Sequence, residues 1–301
     1  MTTAKSKLAR TLASGGFAIT AECLPPASAD AAEVKKLSAA LPSGLDAVVV
    51  ADNPDEIHCS ALACAAILTT EGHTTVLSMV TRDRNRIALE SDALGAAVLG
   101  VSGILSLSGD HQSLGPCPQA ASAYDIDSIQ FAQALNAMRG KGLDFNGRKL
   151  DPLPELMVGT VAHPYLQPIE LNLLRLRKKI AAGSDFVLTQ AVFDLAGFST
   201  WMDSVREAGL DKRVAIIASV LPFSSVEKAE ILQERQTYGP VSDEVVARLR
   251  KASDPAKEGV AIAVEMAAHL KGIAGVRGIH VLCGGCEGVA GAVISRAGLR
   301  A

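Results

Sequence analysis

The stretch "PIELNLLRLRKKIAAGSDFVLTQAV" (168–192) contains one complete repeat of the chain's architecture. A helical pattern runs to Gly183, with Arg175, Arg177, Lys178 and Lys179 near its C-terminus, where cations suit the helix dipole. The apolar run "DFVLTQAV" (185–192) then reads as a strand. Working outward, the same alternation recurs with "FAITAEC" (17–23), "DAVVVAD" (46–52), "TTVLSMV" (74–80) and "GILSLSG" (103–109). It continues through "LMVGTVA" (156–162), "RVAIIASVL" (213–221) and "GIHVLCG" (278–284). Several of these runs are continuously apolar, as parallel strands covered on both faces require. Eight strand–helix units in a chain of 301 residues predict an α/β fold, a (β/α)8 TIM barrel. A doubly wound open sheet is the alternative, because periodicity does not report closure. Two long connections break the rhythm. Residues 111–125 read as a loop over the strand ends, and 238–276 carry two extra helical patterns before the last strand. No linker or low-complexity segment interrupts the chain, so one domain over residues 1–301 is expected.

Apolar residues make up 49% of the chain and aromatics only 4%, which predicts an aliphatic core. A net charge of -3 offers no electrostatic reason to expect nucleic acid or an anionic membrane as partner. The N-terminal "MTTAKSKLARTLASGG" lacks an apolar h-region, and no apolar run reaches the ~18 residues of a membrane span. The six cysteines read as reduced thiols. A soluble cytoplasmic protein is the expectation.

In a barrel, chemistry gathers at the C-terminal ends of the strands. Those ends supply Glu22, Asp52 with Asn53, Thr81 to Asn85, Asp110 with His111, His163, Gln190, Cys283 and Cys286. "ITAECLPP" (19–26) delivers one carboxylate from an apolar run and stops on Pro25 and Pro26, which cannot extend a ladder. Glu22 is therefore the candidate general acid, its proton retained by partial desolvation. Asp110, after a tight turn, suits an ionised anchor for an amino-substituted ring. "TRDRN" (81–85) has two readings: a helix N-terminus capped by Asp83 with arginines in water, or Arg82 or Arg84 facing a phosphate or holding Asp83. In "CGGCEG" (283–288) one CxxC cannot complete a tetrahedral zinc site, and the glycines suggest backbone N–H groups close to a ligand. No HExxH, P-loop or early GxGxxG is present, and no metal site is expected.

"AECLPP" (21–26), "TRDRN" (81–85), "LSGDHQ" (107–112), "AHP" (162–164), "LRLRKKIAAGSDFVLTQAVFD" (174–194) and "VLPFSS" (220–225) resemble, in order and spacing, the methylenetetrahydrofolate reductase family. The resemblance runs from Phe17 to Leu299 and is nearest to short bacterial members without a regulatory domain. It implies a barrel that binds FAD at its strand ends and reduces 5,10-methylenetetrahydrofolate to 5-methyltetrahydrofolate, a step of one-carbon metabolism and methionine biosynthesis. By that resemblance Glu22 and Asp110 are catalytic, Glu22 being the acid that opens the folate ring, and Asp110, Gln190 and Lys228 bind substrate. Asp52, Asn53, Ser78, Ser108, Gly109, Asp110, His163, Asn172 and Lys179 fall at cofactor positions. Ser78 stands where a histidine is usual, Ser108 for an arginine, Gly159 for a tyrosine, Lys228 for a glutamine and Cys286 for an arginine. Leu232 replaces a ring that stacks on nicotinamide or folate. These departures imply weakened FAD binding and leave NAD(P)H or a partner protein as electron donor. A homo-oligomer is expected, with a partner subunit for electron delivery as a further implication. The alternative function is a folate- or pterin-binding subunit of a methyl-transfer or electron-transfer complex without its own NAD(P)H activity. A third reading, an unrelated barrel lyase, rests on the glycine loop alone.

Overall fold

A computed structural model describes residues 6–115, 117–235 and 239–300. Pro116 of the expected 111–125 loop, Tyr238 at the start of the 238–276 connection, and both chain ends lie outside the described residues. The strands are β1 (Ala18–Cys23), β2 (Ala47–Val50), β3 (Thr75–Val80), β4 (Gly103–Leu107), β5 (Met157–Ala162), β6 (Phe186–Ala191), β7 (Ala215–Val220) and β8 (Val276–Val281). They pair in parallel, in chain order, and β8 returns to β1, so the sheet closes. The open-sheet alternative is thereby excluded. Around the ring run α1 (Lys7–Ala13), α2 (Ala31–Ala40), α3 (Ala61–Thr70), α4 (Arg86–Val98), α5 (Ser128–Lys141) and α6 (Ile169–Ala181). They are followed by α7 (Leu195–Glu207), α8 (Val226–Arg235), α9 (Asp243–Lys251), α10 (Pro255–Lys271) and α11 (Gly288–Arg296).

Alternation along each strand divides its side chains between two compartments. Ile19, Ala21 and Cys23 of β1 join the shell between sheet and helices. Ala18 shares the ring interior with Val49, Val76, Leu105, Met157, Phe186, Leu188 and Ile217, and Leu8 of α1 packs into the same cluster. The N-terminal helix thus stoppers the barrel floor, a role that its sequence did not suggest. By the same alternation Thr20, Glu22, Ser78, Gly159, Ser219 and His280 turn inward. Thr20 Oγ1 and His280 Nδ1 lie 2.9 Å apart there, and burial lowers the His280 pKa to about 3, so the imidazole is neutral. At Gly159 a Cβ would meet the Phe186 ring at 2.3 Å. The ring of Phe186 takes up interior space beside the position where the family resemblance would place a tyrosine.

The 238–276 connection does carry two helices, α9 and α10. α10 packs Ala263, Ala267 and Leu270 into the main shell, as the crossover between β7 and β8 must. The elements added to the barrel are α8 and α9, which bury Ala229, Val245, Val246 and Leu249 in a satellite core with Phe193 and Phe223.

The β1–β8 seam closes the ring, and Gly278 is what lets it close. A Cβ there would meet the Ala18 carbonyl oxygen at 2.4 Å. Gly278→Ala is therefore expected to destabilise the fold by about 1–3 kcal/mol, the cost of overpacking. Gly140→Ala, in α5 with nothing within 4 Å of its Cβ, should stabilise by about 0.5–1 kcal/mol. Urea unfolding of both variants checks the pair.

Candidate active site

Glu22 sits on the inward face at the C-terminal end of β1, half-buried. Its Oε2 accepts the backbone N–H groups of Cys283 and Gly284, each at 3.1 Å. Its pKa is raised: burial dominates, the two N–H groups oppose it, and the charges of Glu287 and Asp55 add to the rise. The N–H groups that the sequence suggested for a ligand are thus directed at Glu22. Gly284 (φ 55°) and Gly285 (φ 82°) adopt the left-handed conformation that this turn needs. No cluster of three or more metal-ligating side chains occurs among the described residues.

Asp110 follows β4 and is exposed, and its carboxylate has no hydrogen-bond partner among the described residues. Its main-chain oxygen accepts from Arg82 Nη1 at 3.3 Å and Tyr124 Oη at 2.9 Å. Gly109, with φ 76°, makes the turn: a Cβ would lie 2.4 Å from Val80 Cγ1. His163, just past β5, lies within electrostatic reach of Asp110, yet burial first, then Lys179 and Arg175, lower its pKa. His163 Nε2 is 3.4 Å from the amide Nε2 of Gln190, which can donate to the neutral ring. Gln190 follows Phe186 and Leu188 on the inward face of β6, beside an irregularity where the register with β7 shifts between Leu188 and Ala191. In an eight-strand ring β5 lies across from β1. The Asp110–His163–Gln190 group and Glu22 consequently flank one mouth from opposite sides.

Beside that group opens a cavity of about 370 Å³, lined by Ser108, Asp127, His163, Asn172, Arg175 and Lys179 among others. Lys179 Nζ donates to the Val161 carbonyl at 2.5 Å and has no carboxylate partner among the described residues. Its pKa falls to about 8, through burial and then the Arg175 charge, with Asp127 opposing. Asn172 Nδ2 donates to the carbonyls of His163 (2.6 Å) and Leu166 (3.2 Å), so this side chain braces the loop after β5. Ser108 Oγ donates to Ser128 Oγ at 2.8 Å, at the first turn of α5. Arg175 went unrecognised as a cavity residue in the sequence because it reads equally well as a cation complementing the helix dipole.

The remaining candidates are not among the residues that line this cavity. Asp52 is buried, its Oδ2 accepting from Val80 N–H at 3.0 Å and Arg84 Nη1 at 2.6 Å, its Oδ1 from Arg84 Nη2 at 3.2 Å. Asn53 adopts φ 45° and accepts the His58 N–H at 2.8 Å. Ser78 is buried on the interior face of β3. Lys228, on α8, is exposed and its ammonium makes no hydrogen bond among the described residues. In "TRDRN" the cap of α4 is Asn85, not Asp83, because Arg82 grips Asp83 through two 2.7 Å bonds. The arginines are not in water: Arg82 is buried, and Arg84 holds Asp52 and Asp92. Leu232 packs against the satellite core.

A family model for methylenetetrahydrofolate reductase matches residues 7–298. The chain belongs to that family. Methylenetetrahydrofolate reductase 2 of Saccharomyces cerevisiae is 30% identical over 138 residues, covering 41% of this chain and 22% of the yeast protein. A probable methylenetetrahydrofolate reductase (NADPH) of Caenorhabditis elegans is 22% identical over 250 residues, 82% of this chain and 36% of the worm protein. The 5,10-methylenetetrahydrofolate reductase of Escherichia coli is 34% identical over 68 residues, 23% of this chain and 22% of the bacterial one. The matches span between 22% and 36% of the length of these relatives. Among solved structures, a Clostridium thermocellum protein that binds two copies of 5-methyl-5,6,7,8-tetrahydrofolic acid superposes with a TM-score of 0.70 at 14% identity, covering 98% of this chain and all (100%) of that one. A 2,3-dimethylmalate lyase gives 0.54 at 14% identity, covering 98% and 86%. At these identities the likeness concerns the barrel. No helix among the described residues is long and apolar enough to cross a membrane.

Proposed function

We propose that this member of the methylenetetrahydrofolate reductase family reduces 5,10-methylenetetrahydrofolate to 5-methyltetrahydrofolate, with FAD as cofactor and Glu22 as general acid. The observation that carries this reading is the position of Glu22, a carboxyl whose pKa is raised by burial, opposite the Asp110–His163–Gln190 group across one barrel mouth. Binding of 5-methyltetrahydrofolate by the Clostridium thermocellum protein of the same fold supports a folate ligand. In this reading the barrel carries the active site, in a cytoplasmic setting.

The cavity fits the diphosphate-bearing part of FAD. Arg175 and Lys179 line it without a carboxylate partner among the described residues, and the first turn of α5 borders it. The Asp127 carboxylate lines the same cavity and caps α5 through the Ile129 and Gln130 N–H groups, so the two cations, and not that helix end, are what suits an anion. Asn172, Ser108 and His163 would complete the cradle, and the bound flavin would supply hydride. The protein's own contribution is binding and proton control. Gln190 and the Asp110 carboxylate hydrogen-bond the amino-substituted pterin, and Glu22 delivers its proton to a folate ring nitrogen as the five-membered ring opens. Electrons arrive from NAD(P)H or from a partner protein. Leu232, packed into the satellite core, favours the second donor, because it offers nicotinamide no ring to stack on.

An anaerobic spectrum tests the reading directly. The FAD-loaded protein, bleached by dithionite, should regain its visible absorbance on adding methylenetetrahydrofolate. A bleached protein that binds the folate but stays colourless would favour the alternative, a folate-binding subunit. Lys179 also sets a pH dependence. Its ammonium attracts the diphosphate, and its free-state pKa is about 8. Affinity for FAD should hold below about pH 8 and fall above it, where binding must first take up a proton, by up to tenfold per unit. Lys179→Met should weaken binding at pH 7 and flatten that fall, measured by fluorescence titration with FAD.

A further inference from the structure

Glu287 occupies the N-cap position of α11, yet its side chain does not cap that helix. It points instead across the seam: Oε1 accepts the backbone N–H of Leu24 at 3.2 Å, and the residue is only 3% exposed. Leu24 is the first residue beyond β1, two places after Glu22. In the opposite direction the Glu22 carboxylate receives N–H groups from Cys283 and Gly284, at the start of the loop that ends in Glu287. Strand exit and loop are therefore latched to one another by two carboxylates pointing in opposite senses. No lysine or arginine pairs with either of them among the described residues. The groups facing Glu22 are Asp55 from the loop after β2 and Glu287 and Cys283 from the β8–α11 loop. Those facing Glu287 are Glu22, Cys23 and Cys283.

A latch alone has no need of charge. Glutamine would accept the Leu24 N–H equally well and would avoid the cost of desolvating a carboxylate. We propose that Glu287 is a positioning residue for the Glu22 acid, fixing the strand exit that aims Glu22 and holding a negative charge beside it. The inference rests on the reading of Glu22 as the acid. A like charge nearby favours the protonated form of its neighbour, which is the direction in which Glu22 is displaced. Hydrogen bond and charge are thus separate contributions, and substitutions separate them.

The test uses the full chain labelled with 13C at the glutamate carboxyls, the Glu22 signal being assigned by its loss in Glu22→Gln. In Glu287→Gln the Glu22 titration midpoint should fall, with the urea midpoint unchanged. The alkaline limb of the single-turnover reoxidation rate should move down by the same amount. Glu287→Asp keeps the charge, so its Glu22 midpoint should stay near that of the unsubstituted protein even where the shortened side chain lowers stability. An unmoved Glu22 midpoint in Glu287→Gln, with Glu22→Gln inactive, overturns the role of Glu287 and leaves the acid in place. Full turnover by Glu22→Gln overturns the acid, and the positioning role with it.

Discussion

Glu22→Gln should retain FAD and lose about 10²–10⁴-fold in the rate at which methylenetetrahydrofolate reoxidises the reduced protein, the span associated with removing a general acid. The substitution is nearly isosteric, and the amide oxygen of glutamine can still accept from the N–H groups of Cys283 and Gly284 that now hold Oε2. The loop after β8 stays in place, and with it the barrel seam. What disappears is the titratable carboxyl, whose pKa is raised by burial and, to a lesser degree, by the charges of Glu287 and Asp55. Flavin affinity should not change, since the cavity lined by Arg175 and Lys179 lies beside β4 and β5, across the mouth. Stopped-flow absorbance under anaerobic conditions measures the rate, and fluorescence titration measures FAD binding. A chain that only holds folate for a partner would be indifferent to the change, so an unaltered rate refutes the acid role.

Asp52→Ala is expected to cost about 3–5 kcal/mol of stability, as removing one partner of a buried ion pair does. The Asp52 side chain is fully buried (0% exposed), while Arg84 opposite it is 20% exposed. Alanine would leave Arg84 held by Asp92 alone and the Val80 N–H, at the end of β3, without its acceptor. The pair joins the exits of β2 and β3 and thereby sets the floor on which "TRDRN" turns towards α4. Urea unfolding followed by far-UV circular dichroism reports the loss. Were Asp52 a cofactor ligand instead, the variant would keep its stability and lose FAD affinity, which is the opposite pattern.

Each of the eight strands was legible because a parallel strand buried on both faces must be apolar over its whole length, whatever it pairs with. "DFVLTQAV" became β6 (Phe186–Ala191), and "RVAIIASVL" became β7 (Ala215–Val220). Glu22 and Gln190 stood out for the same reason, as polar side chains at the ends of such runs. The irregularity beside Gln190 was not legible, since it exists only in the register between β6 and β7. Nor was the cap of α4: Asp83 and Asn85 are both competent caps, and Asp83 is withdrawn by its neighbour Arg82. Asp52 resembled any other hydrated strand end until Arg84, 32 residues away, was seen to hold it. Cys23 and Cys64 meet, with Cys283 close by, although the sequence scatters them.

Local patterning was enough to establish eight strand–helix units, an aliphatic core and the polar residues at the strand ends, because backbone geometry imposes short-range periods on hydrophobicity. Closure of the ring, the choice of partner for every carboxylate and the opposing latch of Glu22 and Glu287 depended on the assembled fold. Those contacts join residues as far apart as Glu22 and Gly284, and whether a carboxyl finds an arginine, a backbone N–H or another acid is decided by which loops the closed barrel brings against it.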